Sequence, residues 1–489
     1  MSSTSHNLQN PFSSRNSSNQ HSASTSKSDQ VNTSKKNMDE EQNSSLNNSI
    51  INKNKCFCSD LWEMNSPDEI ASKLTLMTQV PRMCHEMLDY VHLLVQFLHQ
   101  HSIEEDETEQ DLKSITEIYR QKAQLRRNSS KALQNIVDNT AKNKKEIQIL
   151  SLLKDLRSFV DVLFLKYSDL PADCFDHPCS QLAEVFQTIC DEESKKFFEM
   201  YGGVYAVLDV IQTDYRFHKK ESSSQQCIQL RQCSLNILTY MTCNNPGVKD
   251  ALGSTRSFMF MLVDLLTSSP DNVSFIQSVA NVFHNLSWKT NYLNKQIMRD
   301  CEVVKNLIQT AIKIQDQTTL NSLLEPLLNL TAHSKSNKHD FCQVENCLEF
   351  LISILLIDEH NSTSETSSRP TRAQLAIVEN AGGILRNISS YLSDREPLLA
   401  LLRAKNICSV LLEQLKSSSL VIVSNACITL SNLTLKSSQE QSKLIELGAV
   451  NLLQKLTTSK HEAIRFGASK TLENLLPNLY SSQNGKILF

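Results

Sequence analysis

One short pattern recurs along the chain: a stretch of helical character in which Asn is followed by Leu or Ile near the end. Its copies are KALQNI (Asn135), NVFHNLSW (Asn285), PLLNLTAH (Asn329), GILRNISS (Asn387), ITLSNLTL (Asn432) and KTLENLLP (Asn474). From Asn285 onward the steps are 44, 58, 45 and 42 residues. The longest step contains DEHNSTSETSSRPTR (358–372), a polar insert of loop composition. Such a period predicts a stack of helical repeats that bury their apolar faces against one another.

The composition favours an all-α fold. Glycine (9) and proline (11) make up about 4% of the 489 residues, whereas average usage is about 12%. The turns that sheets and nucleotide-binding loops need are therefore scarce. The formal charge of −4 gives no basic field for nucleic acid, so no nucleic-acid partner is expected. No apolar run is long enough to span a membrane, and the start has no apolar signal core, so we expect no membrane insertion and a cytoplasmic location.

The fourteen cysteines are scattered without CxxC spacing. This pattern indicates buried, reduced thiols and no disulfide framework. Cys56 and Cys58 lack a second ligand pair at zinc-finger spacing, so no metal site is expected there. No cofactor is expected either.

Four segments are predicted from the texture of the sequence. Residues 1–58 are rich in Ser, Asn and Gln, which predicts a disordered tail. Residues 59–175 form an N-terminal helical region that contains the first repeat. Residues 176–480 form the main repeat array, and residues 481–489 form a C-terminal tail.

Each repeat is predicted to contain a short helix, a long helix and the helix that carries Asn. In LIELGAVNLLQKL (444–456), Gly448 stands where the short helix ends, a left-handed position that suits glycine. Stacked units of this kind form a right-handed superhelix whose third helices line a concave groove.

The recurring Asn supplies one carbonyl acceptor and two amide donors, which suits hydrogen bonding to the main chain of an extended peptide. A ladder of such residues would hold a peptide by its backbone. The alternative is that each Asn bridges adjacent helices. Four copies also match the Asn-x-Ser/Thr glycosylation pattern, which we reject because packed helices offer no exposed acceptor.

Several longer segments resemble the armadillo domain of the adenomatous polyposis coli family. They are DEESKKFFEMYGGVYAVLDVIQ (191–212), VANVFHNLSWKTN (279–291), NAGGILRNISS (380–390), LKSSSLVIVSNACITLSNLT (415–434) and LGAVNLLQKLTTSKH (447–461). The resemblance extends more weakly through KKEIQILSLLKDLRSF (144–159) and so covers residues 80–480. It implies an armadillo-repeat superhelical solenoid with a peptide-binding groove.

The resemblance also implies the groove residues. Matching positions are Lys249, Asn285, Trp288, Asn329, Arg386 and Asn387. With His284, Asn432 and Asn474 they make up the predicted peptide-binding site. The chain departs from the family at Tyr240, which replaces a ladder Asn, at His284, which replaces an Arg, and at Ser431, which replaces a Trp.

No catalytic motif of the GxSxG, P-loop or HExxH type occurs, so the chain is not expected to be an enzyme. His333 and His339 flank SKSNK and are predicted to lie in a loop. The expected function is that of a scaffold that binds extended peptides of signalling or cytoskeletal regulators. By resemblance, its setting is Wnt/β-catenin signalling, cell polarity and the cytoskeleton, with a location at the cell cortex. The β-catenin-binding repeats of the family follow the armadillo domain, past Phe489, so direct β-catenin binding is not expected.

Two other functions stay open at this point. An importin-α-like carrier would pair each ladder Asn with a Trp four residues earlier, but the chain has Asn281, Glu325, Gly383, Ile428 and Lys470 there. A HEAT-like regulatory subunit would bind its partner through the loops between repeats.

Overall fold

The computed structural model describes residues 128, 131–138, 144–165, 176–218, 225–268, 271–356 and 371–482. All of them lie in the unit formed by Ala71–Phe489. The predicted tail 1–58, the pair Cys56 and Cys58, and nearly all of the polar insert lie outside the described residues.

Residues 131–138 are helical, and the helices that follow are numbered from α1. They are α1 (Lys144–Leu165), α2 (Asp176–Ile189), α3 (Glu192–Met200), α4 (Gly203–His218), α5 (Gln225–Thr242), α6 (Pro246–Gly253), α7 (Arg256–Ser268), α8 (Val273–Ser287), α9 (Tyr292–Asp300), α10 (Val303–Ala311), α11 (Gln317–Thr331), α12 (Lys335–Cys342), α13 (Cys347–Leu355), α14 (Arg372–Leu392), α15 (Glu396–Ala404), α16 (Ile407–Gln414), α17 (Leu420–Thr434), α18 (Ser438–Glu446), α19 (Ala449–Leu456) and α20 (Glu462–Ser482).

From α3 onward the helices fall into threes, and each third helix packs against the next: α5, α8, α11, α14, α17 and α20. The chain is thus an armadillo-repeat solenoid. The third helix is the long one, with 15 residues in α8, α11 and α17 and 21 in α14 and α20. The prediction of a long second helix is wrong for α10, α13, α16 and α19, which have only 8 or 9 residues. α20 also continues two residues past the predicted boundary at residue 480.

In five of the six repeats that the structure describes from α3 onward, the first and second helices meet at a left-handed residue, and the junction between α6 and α7 is the exception. Gly448 has φ of 72°, as the sequence predicted. Glu302, Asn346 and Asn406 adopt the same conformation at the matching junctions, with φ between 53° and 61°. The reversal therefore recurs in most repeats, at Gly or Asn, which adopt this conformation readily, and also at Glu302, which adopts it at a cost where the packed helices on both sides require it.

Side-chain caps fix where the third helices begin. The caps are Asn272 for α8, Asp316 for α11, Thr371 for α14 and Ser419 for α17, and each accepts a hydrogen bond from a backbone N–H in the first turn. The recurring Asn is the thirteenth residue of α8, α11, α17 and α20. In α14 it is the sixteenth, because that helix begins nearly one turn earlier.

Glycine allows two of the third helices to approach closely. A Cβ on Gly467 of α20 would lie 2.9 Å from the backbone carbon of Cys427 in α17. A Cβ on Gly383 of α14 would lie 2.7 Å from a methyl carbon of Leu328 in α11, whereas one on Gly382 would make ordinary contacts. Gly383 therefore permits the close packing of α14 on α11, which Gly382 does not require.

Three findings concern sites of other kinds. No helix within the described ranges is long and apolar enough to cross a membrane. Across the same ranges, no three His, Cys, Asp or Glu side chains converge as metal ligands would. The ten cysteines that the structure describes are free thiols, and most are buried.

Candidate functional site

The packed third helices place the recurring Asn residues in a row. Asn285, Asn329, Asn387, Asn432 and Asn474 lie on α8, α11, α14, α17 and α20, and each side chain is half-buried. We call this row the Asn ladder. The sequence therefore predicted the position of every rung.

Each ladder amide donates to the preceding third helix. Asn329 Nδ2 lies 3.1 Å from Ser287 Oγ, and Asn432 Nδ2 lies 2.8 Å from Ser389 Oγ. The hydroxyl that accepts the bond is always two residues after the previous ladder position. Thr242, Thr331 and Thr434 play this part for Asn285, Asn387 and Asn474, at 3.2, 3.2 and 3.0 Å. The bridging alternative is thus present in the structure.

The accepting hydroxyls are oriented by their own helices. Ser287 and Ser389 donate to the carbonyl three residues earlier, at 2.9 and 2.7 Å. The three threonines donate to the carbonyl four residues earlier, at 2.7–2.8 Å. Because the hydroxyl proton is committed in this way, an oxygen lone pair is left to accept from the next Asn. This bond explains the recurring Asn-x-Ser/Thr pattern, which is structural.

The amide oxygens of the ladder take no part in the hydrogen bonds between the third helices. Within the described part of the chain, the Oδ1 atoms of Asn285, Asn329, Asn432 and Asn474 accept no hydrogen bond, and none of them is sealed from solvent. Asn387 Oδ1 accepts from Arg386 Nη2 at 3.3 Å. The amide nitrogens hold the array together, and the oxygens offer acceptors along its surface.

Arg386 is a half-buried cation beside the ladder. Its Nη1 donates to Asn425 Oδ1 at 3.0 Å and its Nη2 to Asn387, and both acceptors are neutral. No carboxylate of the described residues pairs with it. Burial lowers the pKa of the guanidinium, which nevertheless stays charged near neutral pH. Arg386 therefore carries an uncompensated positive charge.

His284 has a carboxylate beside it. Its Nδ1 lies 3.3 Å from Glu325 Oε2, with each side chain about one-third exposed. Burial lowers the pKa of His284, an effect that Glu325 opposes and Lys249 reinforces. The imidazole is therefore neutral near pH 7.

Trp288 lies about one turn past Asn285, just after the end of α8. Lys249 of α6 lies beside it. Lys249 Nζ lies 3.3 Å from the carbonyl oxygen of Trp288. Burial and the charge of Lys289 lower the pKa of Lys249. The Trp288 side chain is 49% exposed, although it follows directly on a buried helix end. A large exposed aromatic ring can pack against a ligand, and an ammonium group beside it can attract an anion.

Two curated relatives match most of the chain. The adenomatous polyposis coli homolog of Xenopus laevis is 32% identical over 369 residues, which cover 73% of this chain and 12% of the relative. Human adenomatous polyposis coli protein 2 is 34% identical over 369 residues, which cover 72% of this chain and 15% of the relative. The chain carries the armadillo-repeat domain of the adenomatous polyposis coli family.

The chain spans less than one-sixth of the length of these two relatives. No protein-family model matches it. Among solved structures, a designed armadillo repeat protein is 19% identical over 54% of this chain and 99% of its own, with a TM-score of 0.43.

At two positions where the chain departs from the adenomatous polyposis coli family, Tyr240 and Ser431, the structure shows the contacts of the replacing residue. Tyr240 packs edge-on against Phe186, with ring centroids 6.0 Å apart, and Lys195 Nζ lies 4.5 Å from its ring centroid. The ladder is thus replaced there by an aromatic and cationic cluster. Ser431 contributes its backbone carbonyl, which accepts from Asn474 Nδ2 at 3.0 Å.

The sequence analysis missed the polar residues one and two turns before the ladder. Glu325 appeared only as a position that lacks a Trp, and Asn321, Asn380 and Asn425 were not singled out. Their positions in the sequence could have revealed them. Glu325 and Asn321 lie four and eight residues before a ladder Asn, and Asn380 and Asn425 each lie seven residues before one. Helical spacing places such residues on the same face.

Proposed function

We propose that the Asn ladder and the side chains beside it bind an extended peptide segment of a partner protein. The observation that carries the proposal is the row of amide oxygens that accept no hydrogen bond within the described residues. An extended peptide has a backbone N–H at a regular repeat and can donate to such a row. Arg386, Lys249 and Trp288 then provide charge and apolar contact on either side.

The protein acts in this proposal as a non-enzymatic scaffold. The adenomatous polyposis coli relatives support such a role. Its setting is the regulation of Wnt/β-catenin signalling, cell polarity and the cytoskeleton, in the cytoplasm and at the cell cortex. The partners are signalling or cytoskeletal regulators that present an extended segment.

The test needs variants that keep the bonds donated by the ladder amides, so no ladder Asn is replaced and we choose Trp288→Ala combined with Arg386→Ala. This pair removes one side-chain bond between helices, that of Arg386 to Asn425, and the control below also removes one, that of Arg256 to Asp300. A matched pair on another surface is Phe260→Ala combined with Arg256→Ala. Phe260 is 50% exposed on α7, close to the 49% of Trp288, and the Arg256 side chain is 55% exposed.

The probe is a random twelve-residue peptide library displayed on phage and selected on the full chain. The best peptide is then resynthesised, and its affinity for each variant is measured by fluorescence polarisation. Loss of Arg386 should cost about 5- to 150-fold in affinity, and the loss should shrink at high salt. The control pair should bind as the wild type does. If no peptide is selected, or if only the control pair loses binding, the groove is not the binding surface.

A further inference from the structure

The polar side chains before the ladder form a continuous strip. Asn380 Nδ2 donates to Asn321 Oδ1 at 2.9 Å, and Asn321 Nδ2 donates to Glu325 Oε1 at 3.0 Å. Glu325 then reaches His284. The strip therefore crosses from α14 over α11 to α8, alongside the Asn ladder. We call these four residues and Arg386 the side strip.

Glu325 gives the side strip a negative charge. No lysine or arginine in the described ranges forms an ion pair with it, and its hydrogen-bond partner Asn321 is neutral. The imidazole of His284 is neutral near pH 7 for the reason given above. Lys249 forms no ion pair with Glu325 either, because its ammonium group donates to the carbonyl oxygen of Trp288. One-third of the carboxylate side chain stays exposed to a ligand.

Arg386 gives the same strip a positive charge one repeat further on. Its head group extends from α14 toward Asn425 on α17, whereas that of Glu325 extends from α11 toward His284 on α8. The two head groups therefore point away from each other along the array. Adjacent helix axes lie about 8–10 Å apart, so the head groups are separated by one to two such steps, roughly 10–20 Å.

We propose, on the basis of the peptide groove proposed above, that Glu325 and Arg386 select a ligand with one basic and one acidic side chain at a fixed spacing. An extended peptide advances about 3.3 Å per residue, and alternate side chains share a face. Side chains that face the strip are therefore an even number of residues apart. A spacing of four residues, about 13 Å, or of six, about 20 Å, fits the separation of the head groups.

The experiment is the same peptide selection, carried out in parallel on the full-length wild type and three variants. Glu325→Gln keeps the hydrogen bond from Asn321 and removes the charge. Glu325→Lys reverses the charge. Glu413→Gln is the matched control, because Glu413 is an exposed carboxylate on α16 that pairs with Lys416. Thermal melts establish that each variant is folded.

The wild type and the control should enrich a Lys or Arg four or six positions from an Asp or Glu. Glu325→Gln should lose the basic preference and retain the acidic one. Glu325→Lys should favour a second acid in place of the base. Replacing the basic residue of a selected peptide by Ala should weaken binding to the wild type about three- to tenfold, and leave binding to Glu325→Gln unchanged.

The two proposals fail in different ways. If the wild type selects no peptide, the peptide groove itself is refuted, and charge selection is refuted with it. If the wild type selects peptides that depend on Trp288 and Arg386, but Glu325→Gln enriches the same basic residue at the same position, the groove stands and the role of Glu325 is wrong. Enrichment at an odd spacing likewise refutes the side strip as the surface that selects.

Discussion

The amide of Asn432 donates to the hydroxyl of Ser389 at 2.8 Å, across the boundary between two repeats. Ser389 in turn donates to the carbonyl of Arg386 at 2.7 Å. The hydroxyl on one third helix thus accepts a hydrogen bond from the ladder Asn on the next third helix. Because the same pair of bonds recurs at the neighbouring steps, consecutive repeats are held in register by side chains as well as by apolar packing.

Ser389→Ala should lower the free energy of unfolding by about 1 kcal/mol, because it leaves a half-buried amide of Asn432 without its acceptor. Ser389→Thr should restore most of the loss, since threonine fills this position in three other repeats. Urea unfolding followed by circular dichroism measures both. The matched control is Ser353→Ala, since Ser353 makes the same bond to a carbonyl three residues earlier, at 2.8 Å, and is exposed on α13. An equal loss in both alanine variants would contradict the bridging role.

Gly467→Ala should destabilise the protein by about 1–3 kcal/mol, because the added methyl group would meet the backbone of α17, which cannot move aside as a side chain can. Gly382→Ala should be neutral or stabilising by up to about 1 kcal/mol, because it gains helix propensity without a clash. Thermal unfolding of the two variants and the wild type tests the contrast. Similar stability of both variants would show that α17 and α20 are less closely packed than described.

The stability of the fold should fall as the pH drops below 6.5, in part through His284. Its pKa is lowered in the folded state, so the unfolded chain binds more protons in this range, and the contribution is full only above the ordinary pKa. His284→Gln should therefore flatten the dependence of the unfolding free energy on pH between 7 and 5. The effect stays below about 1.4 kcal/mol per pH unit, the limit for one proton.

His461→Gln is the control for the pH experiment, because His461 is exposed just before α20. It should leave the slope unchanged. The charged groups that face His284 are Glu325 and Lys249. A slope that is the same in all three proteins would rule out His284 as the source.

Alkylation should separate the thiols by burial. Burial raises the pKa of Cys342, Cys347, Cys408 and Cys427 to about 12, so their reactive thiolate is almost absent at pH 8. Cys190 is exposed and should react first with iodoacetamide. Mass spectrometry of the labelled native protein reads out each site. Labelling of Cys427 as fast as Cys190 would mean that α17 opens readily from the array.

The sequence predicted the ladder because helical period and repeat length are local signals. It missed the bridging partners because a hydroxyl becomes an acceptor for Asn only when the neighbouring helix is placed beside it. Gly448 was predicted to be left-handed from its residue type, whereas Glu302 carries no such signal and adopts the conformation because of the packing on either side. That position is determined by tertiary structure.

His339 is a further residue whose local structure could not be predicted from the sequence around it. The polar spacer SKSNK indicated a loop, but His339 lies within α12, and its Nδ1 is 2.7 Å from the hydroxyl of Tyr391 on α14. The prediction was right for His333, which lies in the turn between α11 and α12, and wrong for His339. A helix of eight residues needs few apolar side chains when a residue such as Phe341 is buried at the right position.

The spacing from the cap to the ladder Asn is thirteen residues in α8, α11 and α17 and sixteen in α14, and it limits how the sequence can change in length within a third helix. One residue inserted between Ser419 and Asn432 would rotate the Asn by about 100° around the helix axis and turn its amide away from Ser389. Insertions before the cap leave that angle untouched. Nearly all of the long polar insert precedes Thr371, where length can vary without moving a rung, so changes in the length of this array are best accommodated in the connections that precede the caps.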